Sequence, residues 1–156
     1  MQYWLLKSEP GTFGINDLAM RPKQTEPWYG IRNYTARNFM RDGMKKGDLA
    51  FFYHSSCAEP GIMGIAKIVR EVYPDSSAFD PKSEWLDPKG DPANPRWLMV
   101  DVKLVRKLKH PISLQVLREH ADALDDFTLL RRGNRLSILP VTAAQWEYIL
   151  GLEIEN

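Results

Sequence analysis

The sequence predicts an α+β protein, a small twisted mixed β-barrel flanked by short helices, and three observations carry that expectation. Four separate segments are β-rich, and the helical patterns are few and short. The 156 residues, 44% hydrophobic and 26% charged, have the composition and length of one packed core. One domain over residues 1–156 is expected; a large multidomain enzyme, a coiled coil and a disordered chain are not.

Gln2 to Lys7 reads as the first strand, a short aromatic-rich apolar run closed by Pro10-Gly11, where Pro10 cannot continue a ladder. Asn33 to Met44 follows as an amphipathic helix. Ala36, Phe39, Met40 and Gly43 recur at helical spacing, Asn33, Arg37 and Arg41 lie one turn apart on a polar face, and Gly43 marks the end. Asp48 to His54 sets Leu49, Phe51 and Tyr53 against Ala50, Phe52 and His54, as in a strand covered on both faces. Ile62 to Val72 and Trp97 to Val105 follow the same logic, the second alternating more clearly, with Leu98, Val100, Val102 and Leu104 opposed to Asp101 and Lys103.

Pro74 to Pro95, rich in Pro, Asp and Ser, reads as a structured loop rather than a boundary. Ser113 to His120 predicts a further helix, and Leu136 to Leu139 a short strand before Pro140. Thr142 opens the last helix, forming a capping box with Gln145 ahead of Trp146, Ile149 and Leu150 on one face.

With 21 Lys+Arg against 20 Asp+Glu the net charge is +1, so the uniform field of a protein that coats duplex nucleic acid is missing and a partner must be held locally. Arg32, Arg37, Arg41, Lys45 and Lys46 make one basic stretch and Arg131, Arg132 and Arg135 another, while Glu71, Asp75, Asp80, Glu84, Asp87 and Asp91 crowd the Pro-rich region. One positive and one negative face are expected from this segregation. The single cysteine, Cys57, forms no intramolecular disulfide and no repeated-cysteine zinc site, which points to a reducing compartment, cytoplasmic or, in a eukaryote, nuclear. No apolar run matches a signal peptide or a bilayer span, so no membrane partner is expected.

His54, His110 and His120 form no compact ligand pattern, so no metal is expected. No phosphate-cradling glycine loop and no G-x-S-x-G elbow occurs, so no cofactor and no enzyme activity are expected. The enzymatic alternative is a hydrolase or transferase acting on a nucleotide, with Glu9 or His54 as base and Cys57 or Ser55 as nucleophile. A third reading is a small-molecule sensor. Trp28 and Trp85 favour a base-binding module: both sit in turn-rich polar surroundings, whereas Trp4, Trp97 and Trp146 lie in strand or helix patterns that suit a core.

Three long motifs then appear in order: Tyr3-Trp4-Leu5-Leu6-Lys7-Ser8-Glu9-Pro10, the run Trp28 to Phe39 beginning Trp28-Tyr29-Gly30-Ile31-Arg32-Asn33, and Gly47 to Ser55. Pro60-Gly61-Ile62-Met63-Gly64, Arg96-Trp97 and Arg135-Leu136-Ser137-Ile138-Leu139-Pro140 continue them, and over essentially its whole length the chain resembles the EVE domain family. The resemblance implies a PUA-like fold related to YTH domains, and recognition of a modified base in DNA, notably modified cytosine, or in RNA. It places the base pocket at Lys7, Ser8, Glu9, Trp28, Tyr53, His54, Ser55 and Trp85. Trp28 and an opposing aromatic, Trp85 or Trp97, would stack on a base swung out of its strand, with Ser8, Ser55 and a buried Glu9 reading its edge. Arg32, Asn33, Arg37, Arg41 and Arg135 are the candidates for flanking phosphates.

Overall fold

In the computed structural model, which describes residues 1–155, strands β1 (Tyr3–Ser8), β2 (Thr25–Pro27), β3 (Leu49–His54), β4 (Gly61–Pro74), β5 (Leu98–Ser113) and β6 (Ile138–Val141) form one mixed sheet. Their order is β2-β5-β4-β3-β1-β6. Among the described residues no ladder joins β2 to β6, so the expected barrel stays open at that seam. Only β1 and β3 run parallel, pairing Tyr3 with Leu49 through to Ser8 with His54. Both therefore finish at the same end of the sheet, and that end carries the site.

Alternation along the strands divides the core between the two faces. Trp4, Leu6, Ala50, Phe52, Val100 and Val102 point to one face, which is covered by α1 (Pro10–Phe13), α2 (Ile15–Met20) and α3 (Tyr34–Asn38). Leu5, Phe51, Tyr53, Ile65 and Leu139 point to the other, covered by α4 (Leu114–Glu119) and by Trp146 and Ile149 of α5 (Ala143–Glu155). The capping box opens α5: the Thr142 amide donates to Gln145 Oε1 (3.0 Å) and the Gln145 amide to Thr142 Oγ1 (3.1 Å).

Several expectations change. The strand read as Trp97 to Val105 continues to Ser113, because register shifts along its pairing with β4 let the hairpin twist onward through Arg106, Lys107 and Lys109, where no apolar alternation marks a strand. Pro140 lies inside β6 rather than after it; β6 is an edge strand paired only with β1, so a missing N–H is tolerated. The helix from Asn33 is regular to Asn38 and then widens into a π-turn over Phe39–Gly43. Gly43 is there for space rather than for a left-handed cap, since a Cβ would stand 2.7 Å from the Trp4 ring. Sequence pattern missed α1, α2 and β2 altogether.

Candidate functional site

Where β1 and β3 end, the surface opens into a cavity of about 610 Å³, within the range of a small-molecule or nucleotide site. Its floor is tied together by backbone bonds: the Ser55 amide donates to Ser8 O (2.9 Å) and the Lys7 amide to Ser137 O (2.9 Å). Ser56, at φ 54°, makes the sharp turn that leaves Ser55 and Ser56 on the cavity wall.

Trp28 forms the wall on the sheet side. The short β2 pairs with β5, the Trp28 amide adds a bond to Val100 O (2.7 Å), and the indole is carried to the sheet end with only 7% of its surface exposed. Phe13 and Phe52 pack edge-to-face on it, with centroids 6.2 and 5.7 Å away. Trp28 thus belongs to the core as well as to the cavity, contrary to its loop-like sequence context. The local signal misleads because β2 is only three residues, one of them proline.

Trp85 lies on the loop side of the same cavity, and electrostatics fasten it there. Asp75, with no exposed surface, accepts from the Gly30 amide (2.8 Å), Arg32 Nη1 (3.1 Å) and the Ser77 amide (2.9 Å). Arg32 Nη2 donates to the Trp85 carbonyl (2.6 Å), so one guanidinium links the buried carboxylate to the tryptophan. Gly30, at φ 81°, cannot be replaced at low cost: a Cβ would stand 2.8 Å from the Trp85 ring. Farther along the loop, Arg96 grips Asp87 in bidentate fashion (2.5 and 2.6 Å) and holds its carboxyl down to about 2. The Arg32–Asp75 pair thus ties the acidic loop to the basic segment.

Of the residues singled out in the sequence, Lys7, Ser8, Glu9, Trp28, Arg32, Ser55, Trp85 and Arg135 line this cavity. Tyr53 does not: strand alternation turns it, 3% exposed, into the core of the opposite face, where burial raises its phenol pKa. His54 sits behind the wall, its Nε2 accepting from the Ile15 amide at the start of α2 (3.1 Å), and burial lowers its pKa so that the neutral form persists. Glu9 is exposed rather than a buried acceptor; its carbonyl takes the Thr12 and Phe13 amides. Asn33 caps α3 by accepting from the Ala36 amide (3.0 Å). Arg37 donates to Arg96 O (3.1 Å) and Asn38, and Arg41 pairs with its neighbour Asp42 (2.9 Å). Neither lines the cavity. Trp97 stacks on Tyr34 (4.8 Å) and does not line the cavity, whereas Trp28 and Trp85 both do.

Two cations on the wall, Lys7 and Arg135, have no side-chain hydrogen bond or ion pair among the described residues. Lys7 is half-buried, and desolvation lowers its ammonium pKa. Sequence reasoning missed Tyr29, Ser56, Glu84 and Ser137 as lining residues; Tyr29 and Glu84 adjoin the two tryptophans, and nothing local marks the others. Among the described residues no group of three or more His, Cys, Asp or Glu is arranged to hold a metal, and no helix is long and apolar enough to cross a membrane.

The EVE domain profile matches residues 2–152. The chain belongs to the EVE domain family. This EVE domain is 46% identical to thymocyte nuclear protein 1 of Danio rerio, covering 98% of the chain and 72% of that protein. It is 45% identical to the Homo sapiens protein, over 97% of the chain and 73% of that protein. Among solved structures, human THYN1 in complex with 5-methylcytosine-containing DNA superposes with a TM-score of 0.92 at 45% identity, covering 98% of both chains. A Pseudomonas putida protein superposes at 0.91 with 45% identity, over 97% of this chain and 99% of that one. The YTH domain of Zygosaccharomyces rouxii MRB1, in complex with N6-methyladenosine RNA, shares the fold at a TM-score of 0.56 and 11% identity, over 97% and 86% of the two chains.

Proposed function

We propose that this EVE domain is a non-enzymatic reader of 5-methylcytosine in DNA, taking the modified base, flipped from its strand, between Trp28 and Trp85. The observation that carries this reading is the solved complex of a 45% identical relative with 5-methylcytosine DNA, together with a cavity here that has an indole on each side. Burying the extra methyl contributes about 0.8 kcal/mol, roughly a fourfold preference over cytosine. Lys7 and Arg135, free of internal partners, hold the flanking phosphates, while Arg32, Arg37, Arg41 and Asn33 serve the fold. A binding rather than a catalytic role is supported by His54, whose acceptor nitrogen is already used by Ile15, and by Cys57, which lies outside the cavity lining. The domain acts where DNA is, in bacterial cytoplasm or a eukaryotic nucleus.

Tryptophan-fluorescence titration with matched oligonucleotides carrying cytosine, 5-methylcytosine, adenine or N6-methyladenine, as DNA and as RNA, tests the reading. Preference for 5-methylcytosine DNA that is lost in Trp85→Ala supports it. Equal, weak, salt-sensitive binding to every oligonucleotide, unchanged in Trp85→Ala, overturns it, and preference for N6-methyladenine RNA replaces it with an RNA reader.

A further inference from the structure

We infer that a second cavity, adjoining the first at Tyr29, holds the base next to the modified one, with Tyr29 as its stacking platform and a preference for a base that carries an exocyclic amine. This rests on the base-reader reading above and adds the neighbouring nucleotide to it.

The second cavity measures about 350 Å³, and Pro27 and Tyr29 line it as well as the first. A strand with one base turned into the first cavity therefore brings its next nucleotide to the second. Tyr29 is 49% exposed. Among the described residues its hydroxyl has no hydrogen bond and its ring no aromatic or cationic partner, so the ring is free to take a base. Its backbone is nevertheless fixed on both sides: the Trp28 amide donates to Val100 O (2.7 Å) and the Gly30 amide to Asp75 Oδ2 (2.8 Å). An aromatic side chain on immobilised backbone stacks a base with little ordering left to do, and every base has a face to offer it.

The lining decides what the occupant presents. Lys7, Arg32 and Arg135 line the first cavity, whereas no lysine, arginine or histidine lines the second, which therefore suits a base rather than a phosphate. Pro27 and Met99 supply apolar surface there. Of its two carboxylates, Asp75 is already taken by Gly30, Arg32 and Ser77. Asp80 Oδ1 accepts from the Lys82 amide (2.9 Å), and its Oδ2 has no hydrogen bond among the described residues. That oxygen is an acceptor for an amine. Cytosine, adenine and guanine each carry one. Thymine carries none, and its one ring N–H lies between two carbonyl oxygens that a carboxylate repels.

The test is a fluorescence-anisotropy titration of single-stranded DNA carrying one 5-methylcytosine, so that no base pair has to open. The nucleotide on its 5′ or its 3′ side is varied through the four bases and an abasic residue, against wild type, Tyr29→Ala, Tyr29→Phe and Asp80→Asn. On one of the two sides, the wild type binds about five- to tenfold more weakly when the neighbour is abasic. Thymine at that position binds more weakly than the three amine-bearing bases, and Asp80→Asn removes that discrimination. Tyr29→Ala, shown folded by an unchanged melting temperature, binds the intact oligonucleotide as weakly as the wild type binds the abasic one and loses nothing further from the abasic change. Tyr29→Phe binds like the wild type. If an abasic neighbour has no effect on either side, or if Tyr29→Ala weakens intact and abasic oligonucleotides equally, the inference is overturned while the reader stands. Thymine bound as well as cytosine at that position overturns the amine preference. Failure of the wild type to distinguish 5-methylcytosine from cytosine overturns the underlying reading instead.

Discussion

The two walls of the cavity are built by different physics. Trp28 is held by apolar burial between Phe13 and Phe52 at the end of the sheet, whereas Trp85 hangs on a loop secured by Asp75, Arg32 and the Arg96–Asp87 pair. One wall is continuous with the core and the other is clipped on by charge.

The largest expected effect separates the walls directly. Trp28→Ala opens a hole in the core and costs about 3–5 kcal/mol of folding stability. Trp85→Ala, half-buried on its loop, costs under about 1 kcal/mol yet loses base binding. Urea denaturation of both variants reads the contrast, and equal destabilisation would erase it. Next, Asp75→Ala removes the acceptor of Gly30, Arg32 and Ser77 at once, at about 3 kcal/mol, with greater acrylamide quenching of Trp85 in the folded protein as the local readout.

Acidity should loosen the two sides at different points. The folded pKa of His54 lies below its ordinary 6.5, so its contribution is complete above that value and is lost as pH falls through the folded value, taking the acceptor of the Ile15 amide with it. Asp87, held at about 2 against an ordinary 3.8, keeps its contribution above 3.8 and loses it only as pH falls toward 2. Thermal melts from pH 7.5 to 5 should therefore fall in the wild type and less in His54→Gln, which keeps an acceptor without a titrating ring. The smallest effect is on salt dependence. Lys7→Ala and Arg135→Ala should each lower the slope of log affinity against log salt by about 0.9 on duplex DNA, while Arg41→Ala leaves it unchanged.

Apolar strands of five or more residues, such as Leu49–His54, were legible in the sequence, as was the Thr142–Gln145 box, because apolar runs and caps are local properties. The three-residue β2 was not, and it positions Trp28. Nor were the partners of Arg37 and Arg41: Arg37 donates to the Arg96 carbonyl, 59 residues away, and Arg41 pairs with the adjacent Asp42, which sequence shows but does not pair.

Residue order alone thus settled the kind of fold, the β1 and β3 strands whose ends frame the cavity, and a family whose relatives include a protein solved in complex with 5-methylcytosine-containing DNA. Which tryptophans share the cavity, which cations remain free, and whether Tyr53 faces in or out were settled by packing. The reason is range: a strand's apolar faces are encoded within a few residues, but Gly30 and Asp75, which together set the loop wall, meet across 45 positions of chain. Only the folded sheet brings such groups within hydrogen-bonding distance, and only then does a free donor differ from a satisfied one.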